Sequence, residues 1–77
     1  MNVKVIEILN KVNPEILDSE GLDLMEEEII DSLMVMQIVT MSESAFGIDF
    51  EPEDIIPENF ASPEAIWSTI QKYGVED

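Results

Sequence analysis

The 77-residue sequence contains no cysteine, no histidine and no arginine. Because cysteine is absent, the chain forms no disulfide and offers no thiol nucleophile. Because histidine is absent, it lacks an imidazole base and the nitrogen ligands of a typical zinc site. Paired carboxylates could serve as acid and base, but a chain this short can hardly shelter them in a cleft while also building a core. We therefore expect a protein that is not an enzyme, whose chemistry depends on partners or on an attached group.

Positive charge is also scarce. Three lysines stand against 18 aspartate and glutamate residues, which gives a formal net charge of −15. Nucleic-acid binding is excluded, because so few cations cannot displace the counterions of the phosphates. Anionic membrane surfaces are disfavoured for the same reason. We expect partner proteins with basic patches, because the field of the chain steers such patches toward it.

Long apolar runs are missing as well. The sequence has no signal peptide and no apolar stretch of about 20 residues, which predicts a cytoplasmic protein without membrane insertion. Apolar residues nevertheless make up 45% of the chain, enough for a globular core. We expect residues 1–77 to form one domain, and the protein to be a monomer.

The first predicted helix covers residues 3–12, where apolar residues recur at helical spacing. Within it, Glu7 and Lys11 have the spacing and order of a favourable helix ion pair. Asn13 and Pro14 follow. They end or bend this helix, unless Pro14 opens one further turn.

The next residues, 18–28, are predicted to form a long acidic loop anchored in the core by Leu22, Leu24 and Met25. The register of a calcium-binding EF-hand fails here, so we expect no specific metal site. Loose binding of divalent ions by the loop carboxylates stays open.

The second helix is predicted for residues 33–46. At about 100° per residue, its apolar residues share one buried arc: Met34, Val35, Ile38, Val39, Met41, Ala45 and Phe46. Ser42 lies in the middle of this arc. Its hydroxyl either bonds to the carbonyl of Ile38, or marks close helix packing or space for a guest. The solvent-facing arc carries Leu33, Met36, Gln37, Thr40, Glu43 and Ser44. Its two apolar residues are either ordinary surface residues or part of a docking surface.

Downstream, a short helical turn is predicted for Glu53–Ile56. The last helix is predicted to begin after a Ser62 cap, with Pro63 at its first position, and to stop at Gly74.

Asp31 and Ser32 precede the second helix. If Asp31 caps the helix, Ser32 falls at the first helical position, with its hydroxyl facing solvent at the end of a loop. The serine is then either a plain residue of a helix start or a site that a modifying enzyme can reach.

The sequence resembles the acyl carrier protein family, which includes acyl, peptidyl and D-alanyl carriers. The resemblance rests on Asp31-Ser32-Leu33 at the head of the second helix, Met36-Gln37-Ile38-Val39 inside it and Phe46-Gly47-Ile48 at its end. Residues 57–66, which lead into the last helix, add to it. The resemblance implies an all-α fold: a small four-helix bundle with three main helices, one short helix and a long first loop.

The same resemblance implies that Ser32 receives a 4′-phosphopantetheine group from a phosphopantetheinyl transferase. Asp31 and Leu33 complete the attachment motif, and Asp31 helps the transferase to hold its metal ion and orient the serine. The arm supplies the missing thiol and carries acyl groups as thioesters between partner enzymes, as in fatty acid biosynthesis. The implied partner-binding residues are Leu33, Met36, Gln37, Thr40 and Glu43.

Two features differ from the usual carrier pattern. A glycine usually stands shortly before the Asp-Ser pair, where this chain has Glu28, Ile29 and Ile30. Fatty-acid carriers place several acids on the exposed face of the second helix, where this chain has Glu43 alone. The residues 26–30 and 57–60 are closer to D-alanyl or aminoacyl carriers, which an adenylating ligase loads. That alternative stays open, as do an unmodified acidic helical adaptor and a metal-buffering protein.

Overall fold

The computed structural model describes residues 1–77, and its regular structure is entirely helical. The four α-helices are α1 (Val3–Val12), α2 (Glu15–Asp18), α3 (Ser32–Phe46) and α4 (Pro63–Gln71). Two short 3₁₀ helices, Pro52–Asp54 and Pro57–Phe60, lie between α3 and α4. The predicted all-α bundle, with three main helices and a long first loop, is confirmed. No helix combines the length and the apolar character needed to cross a membrane.

α1 begins after Asn2, whose side-chain oxygen accepts a hydrogen bond from the Lys4 amide at 2.8 Å. The helix ends at Val12, because Asn13 is extended (φ −162°), as expected for a residue before proline. Pro14 then leads into α2, so the further turn is present.

The ion pair expected between Glu7 and Lys11 is not formed. The ion pairs of the chain join Met1 to Asp77 and Lys72 to Asp54. Both α1 side chains are exposed, and water solvates such groups well enough to compete with pairing.

The core is a single cluster of buried apolar side chains from all parts of the chain. Its members are Val5, Leu9, Ile16, Leu24, Ile30, Val35, Ile38, Val39, Phe50, Phe60, Ile66 and Ile70. Burying such side chains stabilises a fold by about 1.5–3 kcal/mol each before entropy is counted. The core also holds α1 against α3, which fixes the surface on either side of the start of α3.

The long first loop has fewer apolar anchors than predicted. Leu24 is fully buried and its amide donates to the Ala61 carbonyl at 2.8 Å. Met25 packs against the core. Leu22, however, is 48% exposed, so its prediction as an anchor was wrong. The Asp23 carboxylate accepts the amide of Met25 at 3.0 Å and turns the chain just after Leu22, which leaves Leu22 on the outside.

The segment between α3 and α4 also differs from the prediction. A single turn was expected over Glu53–Ile56, but two 3₁₀ helices flank Ile55 and Ile56 instead. Ile56 is extended (φ −128°, ψ 153°) because it precedes Pro57. A turn cannot run through that conformation.

α4 has the predicted start and an earlier end. The Ser62 hydroxyl accepts a hydrogen bond from the Ala65 amide at 3.0 Å, and Pro63 is the first helical residue. The helix ends at Gln71, ahead of the predicted stop at Gly74. The amides of residues 72–74 bond to carbonyls three residues back, so the last turn tightens and is no longer α-helical.

Candidate functional site

α3 begins at Ser32, one residue before the predicted start at residue 33, as expected if Asp31 is the cap. Asp31 is the N-cap: it is extended (φ −107°, ψ 179°), and its Oδ1 accepts a hydrogen bond from the Met34 amide at 2.8 Å. The Asp31 carbonyl accepts the Val35 amide at 3.0 Å. Because Asp31 supplies the cap, the exposed hydroxyl of Ser32 is not needed for it. Ser32 is therefore an exposed residue at a capped helix end.

The residues before Asp31 form a tight turn. The amides of Ile29 and Ile30 both donate to the Leu24 carbonyl, at 3.0 and 3.1 Å, and Ile30 is buried in the core. Glu28 has φ of 58°, and it is the one non-glycine residue with positive φ. Glycine adopts this left-handed conformation without steric cost. Glu28 is one of the three residues, with Ile29 and Ile30, that stand where carriers usually have a glycine.

A pocket opens on one side of Ser32. This Ser32 pocket has a volume of about 130 Å³ and is lined by Met25, Ser32, Val35, Ile55, Ile56 and Pro57. Apart from the serine, every lining residue is apolar, so the pocket favours an apolar guest. Half of the lining, Ile55, Ile56 and Pro57, comes from the segment between α3 and α4.

A wider groove lies on the other side of α3, against α1. This α1–α3 groove has a volume of about 470 Å³ and is lined by Lys11, Val12, Leu33, Met36, Gln37, Thr40 and Met41. Leu33 is 68% exposed and Met36 is 48% exposed. Four of the five predicted partner-binding residues thus share one apolar depression next to Ser32.

Glu43, the fifth predicted partner-binding residue, lies apart from the α1–α3 groove. Its carboxylate accepts a hydrogen bond from the Phe50 amide at 2.9 Å, and its side chain is half-buried. The expectation that Glu43 is a free acid of the solvent face was wrong. This hydrogen bond connects the end of α3 to the loop that follows it. Because Glu43 is the one acidic residue of α3, the open face of the helix carries no free carboxylate.

Ser42 is fully buried, and its hydroxyl has no hydrogen-bond partner. The bond to the Ile38 carbonyl, one of two expectations, is therefore not formed. No cavity opens at Ser42, so close packing remains and space for a guest does not.

Sequence reasoning missed the residues that other elements bring to the site. Lys11 and Val12 come from α1, and Ile55, Ile56 and Pro57 come from the segment before α4. A helical wheel of α3 shows which residues face outward, but not which neighbours frame them. The apolar pair Ile55–Ile56 ahead of a proline was the one available signal.

No group of three or more aspartate and glutamate side chains converges to hold a metal ion. The carboxylates of the first loop are spread along its exposed surface.

One comparison with known proteins identifies a family. A family model described as the phosphopantetheine attachment site matches residues 4–68, which is most of the 77-residue chain. The chain belongs to this family and is a phosphopantetheine carrier protein. No curated protein and no solved structure gives a significant match.

Membership defines the prosthetic group and the kind of partner. Proteins of this family carry a covalently attached 4′-phosphopantetheine, and they interact with a phosphopantetheinyl transferase and with acyl-handling enzymes. The start of α3 fits such a group. The amides of Ser32 and Leu33 make no hydrogen bond to the preceding chain, and free amides at a helix N-terminus favour a phosphate.

Proposed function

We propose that Ser32 is the attachment residue, and that residues 1–77 act as one carrier domain in the cytoplasm. The observation that carries this proposal is the exposed Ser32 hydroxyl at the first position of α3, inside the stretch matched by the family model. Its hydroxyl is free for modification because Asp31 supplies the cap. The protein carries acyl groups between enzymes and is not itself a catalyst.

Asp31 and Leu33 have separate roles in this proposal. Asp31 holds the helix end that presents Ser32, and its outer carboxylate oxygen remains available to the metal ion of the transferase. Leu33, next in the chain, is exposed and begins the α1–α3 groove. When bound, the phosphopantetheine group supplies the thiol that the chain lacks.

The α1–α3 groove is the surface on which we expect the loading enzyme to dock. Exposed Leu33 and Met36 offer apolar contact within reach of Ser32, while Gln37 and Thr40 offer uncharged hydrogen-bonding groups. In most interfaces a small number of residues contribute most of the binding energy, and these residues are typically anchors that fill a depression on the partner. The acidic loops around this surface steer a basic partner toward it.

Two kinds of cargo remain, an acyl group as in fatty acid biosynthesis or a D-alanyl or other aminoacyl group. The engagement of Glu43 with the Phe50 amide favours the second, because it leaves the open face of α3 without the free acids that fatty-acid enzymes read. Incubation of the phosphopantetheinylated protein with ATP, an adenylating D-alanine ligase and D-alanine tests this alternative. An aminoacyl mass gain supports it, and a gain seen only with fatty acyl donors contradicts it.

Co-expression with a broad-specificity phosphopantetheinyl transferase tests the carrier proposal itself. We expect the intact mass to increase by one phosphopantetheine group. An unchanged mass would favour the unmodified acidic adaptor or the metal-buffering protein instead.

A further inference from the structure

A cluster of three polar side chains connects the segment before α4 to the end of α4. The Asp54 carboxylate accepts hydrogen bonds from the Lys72 ammonium at 2.6 Å and from the Tyr73 hydroxyl at 2.5 Å. We call these three residues the Asp54 cluster. The Asp54 side chain is only 18% exposed, so water competes less for these bonds than at an open surface.

The Asp54 cluster is tied to the surrounding backbone on several sides. The Tyr73 hydroxyl also accepts the Glu51 amide at 2.9 Å, and the Tyr73 ring packs on Phe50 with ring centroids 5.1 Å apart. The Asp54 carbonyl accepts a hydrogen bond from the Asn59 side chain at 2.8 Å. The segment is therefore held before, at and after Asp54.

The residues that follow Asp54 directly are the wall of the Ser32 pocket. Ile55, Ile56 and Pro57 make up half of its lining, and Ile56 is 37% exposed. The wall contains no α-helix: Ile55 and Ile56 lie between the two 3₁₀ helices, and Pro57 begins the second. Its position relative to Ser32 therefore depends on how its two ends are fixed, and the Asp54 cluster fixes the first.

The pocket that this wall closes is small. Its volume is about 130 Å³, compared with about 470 Å³ for the α1–α3 groove. A short apolar group can enter such a space, whereas a long one enters only if the wall moves. The wall is thus the element that limits the size of a guest next to Ser32.

We propose that the Asp54 cluster is a positioning device that holds the Ile55–Ile56–Pro57 wall, and thereby sets the size of the cargo sheltered beside Ser32. This inference rests on the proposed attachment at Ser32. Asp54 does not touch the cargo; it acts through the wall. Without the cluster the wall moves outward, and longer acyl chains are sheltered than in the parent protein.

The test measures how well the protein shelters thioesters of increasing length. A broad-specificity transferase loads the parent protein from a series of straight-chain acyl-coenzyme A donors, from acetyl to octanoyl, and hydroxylamine then cleaves each thioester. Asp54→Ala removes the acceptor of both bonds. Glu53→Ala is the matched control, because Glu53 is an exposed neighbour whose loss changes the net charge equally.

We expect Asp54→Ala to lower the ratio of the octanoyl to the acetyl cleavage rate about fivefold relative to Glu53→Ala, the factor given by a hydrogen bond of ~1 kcal/mol. Because it is a ratio, it does not change if a general loosening of the protein alters the cleavage of all acyl thioesters by the same factor. If Asp54→Ala does not fold, Tyr73→Phe serves instead, since it keeps the ring on Phe50 and loses the hydroxyl.

The two possible failures are distinguishable. A parent protein that gains no mass at Ser32 overturns both the carrier proposal and this one. A parent that is loaded, with the same cleavage ratio in Asp54→Ala, Tyr73→Phe and the control, overturns the Asp54 cluster proposal alone.

Discussion

Ser42 presents the clearest unsatisfied group at the scale of single residues. Its buried hydroxyl has no partner, whereas the buried Thr69 hydroxyl donates to the Ala65 carbonyl at 2.8 Å. An unpaired buried hydroxyl costs about 1–3 kcal/mol. Removing it therefore stabilises the fold, provided that the lost atom leaves no large cavity.

We predict that Ser42→Ala raises the free energy of unfolding by about 1 kcal/mol in urea denaturation. Thr69→Val is the control: it removes a paired hydroxyl and lowers the same quantity by about 0.5–1.5 kcal/mol. A Ser42→Ala variant less stable than the parent would contradict this prediction.

Glu28 has a strained backbone conformation. A side chain at φ 58° costs about 1–2 kcal/mol relative to a right-handed conformation, and glycine avoids that cost while gaining flexibility in the unfolded chain. We predict that Glu28→Gly raises the free energy of unfolding by about 0.5–1 kcal/mol. Glu27→Gly, which removes the same charge without a positive φ, should lower it. Equal effects from both glycines would contradict the assignment of strain to Glu28.

At the scale of elements, the two sides of α3 have different roles: one stabilises the fold and the other is the proposed docking surface. Its buried side holds the core, its first residue presents Ser32, and its open side forms the α1–α3 groove with α1. Glu43 belongs to the supporting part, because it bonds the loop that carries Phe50. Met36 belongs to the groove and is half exposed.

We predict that Met36→Ala lowers kcat/KM for loading of the phosphopantetheinylated protein by its ligase at least about fivefold, since truncating an apolar anchor commonly costs over 1 kcal/mol. Ser44→Ala is the control, because Ser44 is exposed on α3 outside the groove. Glu43→Gln should mainly lower the melting temperature. If Glu43→Gln slows loading more than Met36→Ala while remaining folded, the partner reads charge on α3.

Helical periodicity was sufficient to predict the three main helices. The capping preference of aspartate and serine offered Asp31 as a cap and, on that condition, Ser32 as the first helical residue. Each of these depends on neighbours within one or two turns of the same segment. The bond of Glu43 and the framing of Ser32 by Ile55 and Ile56 depend on contacts between segments, which the helical pattern of α3 does not encode. Glu43 illustrates this best: its angular position on α3 indicates solvent, but the Phe50 amide from the next loop captures its carboxylate. The exposure of Leu22 and the conformation of Ile56 were set locally, by the Asp23 turn and by the following Pro57.

At the scale of the whole molecule, the net charge of −15 opposes the compact state. Added salt screens exposed charges, and a relief of ~1 kcal/mol raises the melting temperature by about 4–8 °C in a domain of this size. We predict that sodium chloride and millimolar magnesium both raise Tm, and that a shift from pH 7 to about pH 5 has the same sign, because carboxylates begin to gain protons there. A melting curve that responds to none of these would show that the carboxylates are already far enough apart.

The Asp54 cluster limits how far the melting temperature can rise as the pH is lowered. The hydrogen bond from Lys72, and then that from Tyr73, lower the pKa of Asp54 below its ordinary value of 3.8. A lowered pKa means that the stabilisation is present above the unfolded value and is lost as the pH falls through the folded one. Below about pH 4, Tm should therefore fall again as the cluster opens.

At high pH the Asp54 cluster is lost because its donors, Lys72 and Tyr73, lose their protons. The bond to Asp54 raises the pKa of Lys72 above 10.5, while burial, followed by the bond to Asp54, raises the pKa of Tyr73 above 10.0. Raised values mean that the stabilisation is present below the unfolded pKa and is lost as the pH rises through the folded one.

The most direct measurement for the central claim is the mass of the Ser32→Ala variant after co-expression with the transferase. The variant should fold like the parent at a cost of about 0.5 kcal/mol or less, because Asp31 keeps the cap and the lost hydroxyl is exposed. Single alanine replacements of the other serines, Ser19, Ser42, Ser44, Ser62 and Ser68, serve as controls. We predict one phosphopantetheine increment on the parent and on every control, and none on folded Ser32→Ala. An increment that persists on Ser32→Ala would contradict the assignment of Ser32 as the attachment residue.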